Sequence, residues 1–559
     1  MRVRTGGRGA VALVAAVALC LVAAGCTSSS STSKSASAKP IQGGVLRVGT
    51  TAPIDSLNPF VSQSDYSYVA YEYMYPQLTQ YNGRLEIIPD FAKSWTTSKD
   101  GLVWTFTTRT GATWSDGNPL TAADPAWTIN LIKKYQDGAT ANSAGLVAHL
   151  VSAVASDPNT LVLTYDKPVA NVLAQMQQMS ILPQQVWSQY ATGDGAKLKT
   201  FQNPAPIISG GPFMLTKYTK DQIALFAKNP KWYGTKPHID GFGLQFFAND
   251  DAMVTALKTH QIDMTGEYTP PTAVAALKSA GMEVDTVPSI SMKTFIINTN
   301  PKKLAHRELL DPNVRMAMEY ATDRASIIKT AWLGFAQPGT TIIAPSDGDW
   351  NDQSIHGLAY DLTKANALLD AAGFAKGSNG IRVADGHQMS YDVIFPQDEK
   401  GAGDRTFQIL QTDFVQIGIQ LKQKPLDDDA AVAAINGSDN TYRTYDLAMY
   451  DWVPPVDPDF MLSVMTCAQL GNNSDSGYCD KSYDAMYAQQ SILTDSAQRH
   501  SLVNQMQQKI YGDRPYIVLD YPDIIEAHAK GWAGFEMSPV MGSVNSLSMD
   551  TLLGLQKMG

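Results

Sequence analysis

The densest concentration of recognition chemistry in the sequence is the stretch Tyr445-Asp446-Leu447-Ala448-Met449-Tyr450-Asp451-Trp452-Val453-Pro454-Pro455-Val456-Asp457-Pro458. An apolar, strand-like run feeds a Pro-rich loop that carries Tyr450, Trp452 and two carboxylates, Asp451 and Asp457. An indole offers a flat apolar face, and an aspartate can hold a cation or an ammonium group through charge-assisted hydrogen bonds. Loops at strand ends are where ligand groups collect. Each residue alone would suit equally well a core Trp or a helix-capping Asp. Their combination makes Tyr450, Asp451, Trp452 and Asp457 the candidate ligand-binding residues.

Other chemistries find little support. There is no Gly-x-Ser-x-Gly nucleophile elbow, no Gly-Lys-Ser/Thr phosphate loop and no Gly-x-Gly-x-x-Gly fingerprint. The histidines (149, 238, 260, 306, 356, 387, 500 and 528) never fall three or four apart, so no helical zinc pair exists. Asp347-Gly348-Asp349-Trp350-Asn351-Asp352 begins like a calcium loop. It has Asp352 where the loop needs Gly and Leu358 where it needs Glu, which makes it a solvated acidic turn. Asp427-Asp428-Asp429 reads as a solvated loop or a helix start. Neither a metal nor a cofactor is expected, nor is catalysis. With 43 Lys and Arg against 53 Asp and Glu, the net charge of −10 leaves no basic footprint for nucleic acid.

The elements that must position the candidate loop are legible from periodicity. Leu102-Val103-Trp104-Thr105-Phe106 and Leu161-Val162-Leu163-Thr164-Tyr165 are β-rich runs, and Tyr516-Ile517-Val518-Leu519-Asp520-Tyr521 is another near the chain end. Asp311-Pro312 is an N-cap with Pro at the first helical position, followed by the stripe Val314, Ala317, Met318, Ala321, Ala325 and Ile328. A second helix runs from Asp361 to a stop at Gly373, and a third carries Phe407, Leu410, Phe414 and Ile417 before Gly418. Strand-like Ile419-Gln420-Leu421 follows at once. Helix, Gly and strand in close succession wire an α/β layer. With 559 residues, 44% hydrophobic and 9% aromatic, the chain has ample material for several cores.

The N-terminus sets the compartment. Arg2, Arg4 and Arg8 precede a small-residue and apolar run from Ala10 to Ala24, too short to span a bilayer as a helix. It ends in Ala23-Ala24-Gly25-Cys26, which resembles the lipobox of bacterial lipoproteins, with Ala23 where that motif usually has Leu. Residues 1–25 are therefore expected to be a signal peptide and Cys26 the lipidated start of the mature protein. Residues 26–42, rich in Ser, Thr and Ala, would form a tether. The expected location is extracytoplasmic, anchored to the cell membrane. Cys467 and Cys479 bracket a polar stretch and read as a disulfide closing a loop.

Motifs spread along the body resemble the extracytoplasmic solute-binding proteins of ABC importers, the large family that includes oligopeptide-, dipeptide- and nickel-binding members. They comprise Pro89-Asp90-Phe91-Ala92-Lys93-Ser94-Trp95, then Asp100 to Phe106, and Trp114-Ser115-Asp116-Gly117-Asn118-Pro119-Leu120-Thr121-Ala122-Ala123-Asp124. Further pieces are Gly210-Gly211-Pro212-Phe213, Lys228-Asn229-Pro230-Lys231-Trp232-Tyr233, Ala321-Thr322-Asp323-Arg324, and Leu368 to Phe374. The resemblance implies a two-lobed α/β clam of the periplasmic-binding-protein type II, with an enlarged, discontinuous first lobe. Lobe I would comprise 43–295 plus 518–559, and lobe II 296–517. Hinges would fall at Ile296, Ile297 and Asn298 and at Tyr516, Ile517 and Val518. The implied role is capture of peptides for an ABC permease and its ATPase subunits, by a monomer without enzymatic activity. A metal chelate, an oligosaccharide or another small solute is the alternative cargo; an extracytoplasmic hydrolase is a more distant one. In dipeptide-type members an Asp of the Tyr450–Pro458 loop holds the ligand ammonium. That position falls here near Pro454, leaving Asp451 or Asp457 to substitute.

Overall fold

Alternating apolar residues at 102, 104 and 106 and at 161, 163 and 165 place one face of each run in a core, and both runs are strands in the computed structural model. The structure describes residues 39–266, 269–437, 441–442 and 444–559. The expected signal peptide and Cys26 lie outside them. In chain order the strands that matter are β1 (Val45–Thr50), β2 (Ala92–Thr97), β3 (Val103–Thr108), β4 (Leu150–Asp157), β5 (Thr160–Tyr165), β6 (Phe213–Thr219), β7 (Ile223–Lys228) and β8 (Gly241–Phe246). They continue with β9 (Met264–Thr265), β10 (Glu283–Pro288), β11 (Met292–Ile297), β12 (Ala336–Pro338), β13 (Ser390–Pro396), β14 (Gln420–Leu426), β15 (Leu447–Trp452) and β16 (Tyr516–His528). The helices used below are α1 (Asp65–Met74), α2 (Ala123–Tyr135), α3 (Asp250–Lys258), α4 (Pro312–Tyr320), α5 (Leu362–Ala371), α6 (Ala402–Gln416) and α7 (Ser496–Asp513).

A small antiparallel sheet has the order β2-β3-β5-β4. The main sheet runs β14-β13-β15-β11-β16-β9-β1-β8-β7-β6, with β10 and β12 also pairing to β16. β16 is the thread of this sheet: its first half pairs antiparallel with β11 and its second half with β10. Period-two alternation splits the central strands between two cores. Phe295, Ile297, Leu447, Met449, Ile517 and Leu519 join the cluster built around α4, α5 and α6. Ile296, Ala448, Tyr516 and Val518 join the larger cluster formed with the N-terminal part and the chain end. A third cluster packs α3 against Ala527 and Ala529.

Local sequence accounts for most ends. Asp361 accepts the Lys364 N–H as N-cap of α5, and Gly373 and Gly418 take the left-handed conformations that stop α5 and α6, with φ of 87° and 81°. The quoted motifs are structural. The buried Trp114 indole donates to Asp124 at 3.2 Å, and buried Asp90 accepts the Tyr233 hydroxyl at 2.7 Å. At Gly211 any Cβ would collide with the Tyr73 carbonyl.

Three expectations need correction. The stripe from Val314 to Ile328 is not one helix: α4 ends at Tyr320, and Asp323 caps a new turn by accepting the Ser326 N–H at 3.0 Å. A good N-cap residue inside the stripe outcompetes continuation. The acidic turn at Asp347–Asp352 is not solvated, since Asp347, Asn351 and Asp352 are all buried. α7 covers it: the Asp352 N–H donates to Gln507, and Gln508 donates to the Asp352 carboxylate at 2.8 Å. Residues before 43 also belong to the sheet structure, because Pro40–Ile41 pairs antiparallel with Gln556–Met558. Asp427, by contrast, is the helix start foreseen, capping the helix Asp428–Asn436 through the Ala430 N–H.

Candidate functional site

Where β11, β15 and β16 approach the N-terminus of α6, the chain encloses a cavity of about 440 Å³. One wall is made by Lys293, Asp451, Val453, Trp332 and the segment 399–405, which leads into α6. The lining continues with Asp65 and Asp250 at the starts of α1 and α3, the loop 269–272, and Pro522 to Ile525 of β16, where the Asp523 N–H donates to the Phe335 carbonyl at 3.0 Å. Ser289, Ser291 and Met541 complete the lining. The mixture of apolar and convergent polar groups, and the volume, suit a small organic solute.

The register of the main sheet builds the charged centre of the first wall. Lys293 of β11 lies directly opposite Asp451 of β15, and its ammonium donates to Asp451 at 2.9 Å and to Glu399 at 3.2 Å. Their side chains are 20%, 34% and 3% exposed respectively, so Asp451 is the most exposed member. Burial works against the charged amine, but the Glu399 and Asp451 carboxylates outweigh it and hold Lys293 well above its ordinary range. Behind the cluster Asp520, opposite Lys293 on β16, is fully buried, and desolvation pushes its carboxyl up to about 7. Elsewhere in the lining, burial raises Asp250 and Asp523 as well; among the described residues neither is ion-paired.

The four candidate residues separate. Asp451 lines the cavity. Tyr450 and Trp452, its strand neighbours, point to the opposite face of β15, as period two requires. There their rings meet edge to face at 5.8 Å, and the Trp452 indole donates to Asp475 at 3.0 Å. Asp475 also accepts the Tyr516 hydroxyl, and burial pushes it up to about 6. It sits in the loop closed by the Cys467–Cys479 disulfide, which the structure contains. Asp457 does not line the cavity; it holds both terminal nitrogens of Arg499 at 2.7 Å. The two segments read as hinges are side by side: Ile296 pairs with Tyr516, Phe295 with Ile517 and Thr294 with Val518.

Lys293, Glu399, Arg405 and Asp523 were not among the sequence candidates. The signal for Lys293 was a single charged residue just ahead of the apolar run Phe295-Ile296-Ile297. Glu399 and Arg405 belong to Glu399-Lys400-Gly401-Ala402-Gly403-Asp404-Arg405, whose charge and glycine content mark a helix start without saying what it faces. Among the described residues no group of three or more His, Cys, Asp or Glu side chains could hold a metal ion, and no helix is long and apolar enough to cross a membrane.

Comparison with known proteins matches residues 86–473 to the model of the bacterial extracellular solute-binding proteins, family 5. The dipeptide-binding protein of Escherichia coli K12 is 26% identical over 510 residues, covering 87% of this chain and 91% of that protein. Among solved structures, the ABC transporter substrate-binding protein CtaP of Listeria monocytogenes superposes with a TM-score of 0.80 at 20% identity, covering 92% of this chain and all of that one. NikA of Brucella suis, solved in complex with Fe(III)-EDTA, gives a TM-score of 0.78 at 22% identity over 92% of this chain and all of its own. These structures share the mixed α/β fold.

Proposed function

Because the chain belongs to the bacterial extracellular solute-binding proteins of family 5, we propose that it captures peptides outside the membrane in the cavity beside Lys293 and Asp451 and delivers them to the permease of an ABC importer. The observation that carries this reading is the cavity itself, of about 440 Å³, at the place where β11 and β16 pass between two hydrophobic cores. The similarity to a dipeptide-binding protein over 87% of the chain supports a peptide as cargo. The protein performs no catalysis; its work is binding and release.

In this reading 43–295 with 518–559 forms one lobe and 296–517 the other, and the paired segments at Ile296–Asn298 and Tyr516–Val518 are the hinges. The split cores support the division, because strands packed on two different clusters can twist between them without opening either. A ligand that touches both walls binds the closed arrangement better and shifts the population towards it, and the permease reads that shift. The protein acts as a monomer held to the membrane by lipid on Cys26. Mass spectrometry of solute released from gently purified protein tests the cargo: peptides are expected, and a chelate or oligosaccharide recovered in stoichiometric amount would replace this reading.

A further inference from the structure

Among the described residues, five charged side chains line the cavity on β11, β15 and the segment leading into α6, and three of them are cations. Lys293, Lys400 and Arg405 face Asp451 and Glu399. Both carboxylates are already engaged by one ammonium, at 2.9 and 3.2 Å. Lys293 cannot leave them cheaply, since separating a buried pair strands an uncompensated charge. Arg405 is fixed from behind, its Nε and Nη2 donating to the Ala331 carbonyl at 3.2 and 2.6 Å. The N-terminal turn of α6, at Gly401 to Gly403, lies in the same lining, with the Gly401 N–H donating to the Asp404 carboxylate at 3.1 Å. An ammonium brought to Asp451 would therefore meet a carboxylate already paired with Lys293, in a lining that also carries Lys400 and Arg405. Among the described residues, the rest of the lining bears Asp65, Asp250 and Asp523 and no Lys or Arg.

We propose that Lys293 is the residue that sets the polarity of this site: by holding Asp451 and Glu399 itself, it makes the β15–α6 wall the receptor for the carboxylate end of a peptide, not for its ammonium. The inference rests on the reading that this cavity is the peptide site, and it fixes the direction in which the peptide lies.

The test uses the mature protein and calorimetry with alanine peptides of two to five residues, each free, N-acetylated and C-amidated. In the wild type, amidation is expected to weaken binding by at least about tenfold, the loss typical of an unpaired charge. Asp451→Asn should leave the ratio of acetylated to free-peptide affinity unchanged within about twofold, because that carboxylate does not hold the ligand amine. Lys293→Met should raise the penalty for acetylation by about tenfold or more, since two carboxylates then become available to an ammonium, while Lys293→Arg keeps the wild-type pattern. Should Lys293→Met not fold, the Asp451→Asn and amidation measurements decide. An acetylation penalty that disappears in Asp451→Asn, or amidation without effect, overturns the assignment while leaving peptide capture intact. Failure of every free and capped peptide to bind removes the peptide reading, and this inference with it.

Discussion

Asp457 accepts Arg499 through both carboxylate oxygens, at 2.7 Å each, and 42 residues of sequence separate the two. The pair is nearly dry, with side chains 11% and 5% exposed, and Arg499 also lies over the Trp350 ring at 4.8 Å. A candidate for ligand binding is thus a structural acid. Asp457→Asn should lower stability by about 3 kcal/mol, as expected when one partner of a buried pair is removed. The affinity for peptide should not change. Thermal melting and calorimetry on the same preparation separate the two effects; a large loss of affinity at unchanged melting temperature would return Asp457 to the binding site.

The Cys467–Cys479 disulfide closes a loop whose Asp475 fastens Trp452 and Tyr516 from one side. Replacing both cysteines with Ser should cost on the order of 3 kcal/mol by the loop-entropy account. Trp452 should become more mobile and its fluorescence more accessible to quencher. Reductant should reproduce the effect in the wild type and leave the double variant unchanged.

Arg324, from the quoted Ala321-Thr322-Asp323-Arg324 motif, clasps the first half of β16. Its Nε and Nη2 donate to the Val518 carbonyl at 2.9 and 2.8 Å, while Nη2 lies 2.9 Å from the buried Glu319 carboxylate. Arg324→Met strands both acceptors and should destabilise by about 3–5 kcal/mol. Arg324→Lys should recover less than half of the loss, because a point charge cannot serve a carbonyl and a carboxylate as a planar fork does. Melting temperatures of the three proteins give the comparison, and full rescue by Lys would refute the fork.

Stability should fall as pH rises through neutrality, and Asp520 should be a principal cause. Its pKa is raised by burial from the ordinary 3.8 to about 7, with Trp332 and Lys293 only partly compensating. The folded state therefore binds the proton more tightly than the unfolded chain. The resulting stabilisation is complete below about pH 4 and is lost as pH climbs through the folded pKa. Asp520→Asn should flatten the decline between pH 4 and 8 by on the order of 3 kcal/mol. Parallel decline in variant and wild type would show that other groups carry it.

Much of the fold is legible in short stretches of sequence. The motifs between Pro89 and Asp124 and the later ones marked the family, and periodicity placed β3, β5, α5 and α6. Gly373 and Gly418 marked their helix stops, and a polar stretch between two cysteines announced a disulfide. Such features are local: capping, alternation and left-handed turns depend on residues a few positions apart. Period two even separates Asp451 from Tyr450 and Trp452 once β15 is assigned. Tertiary structure alone decided where each charge is spent. Asp451 meets Lys293 across 158 residues and Asp457 meets Arg499 across 42, and both matches depend on which strands and helices become neighbours. A carboxylate looks the same in sequence whether a ligand or a lysine will face it. The register of β11 against β15 supplies the lysine, and with it the charge that the cavity presents.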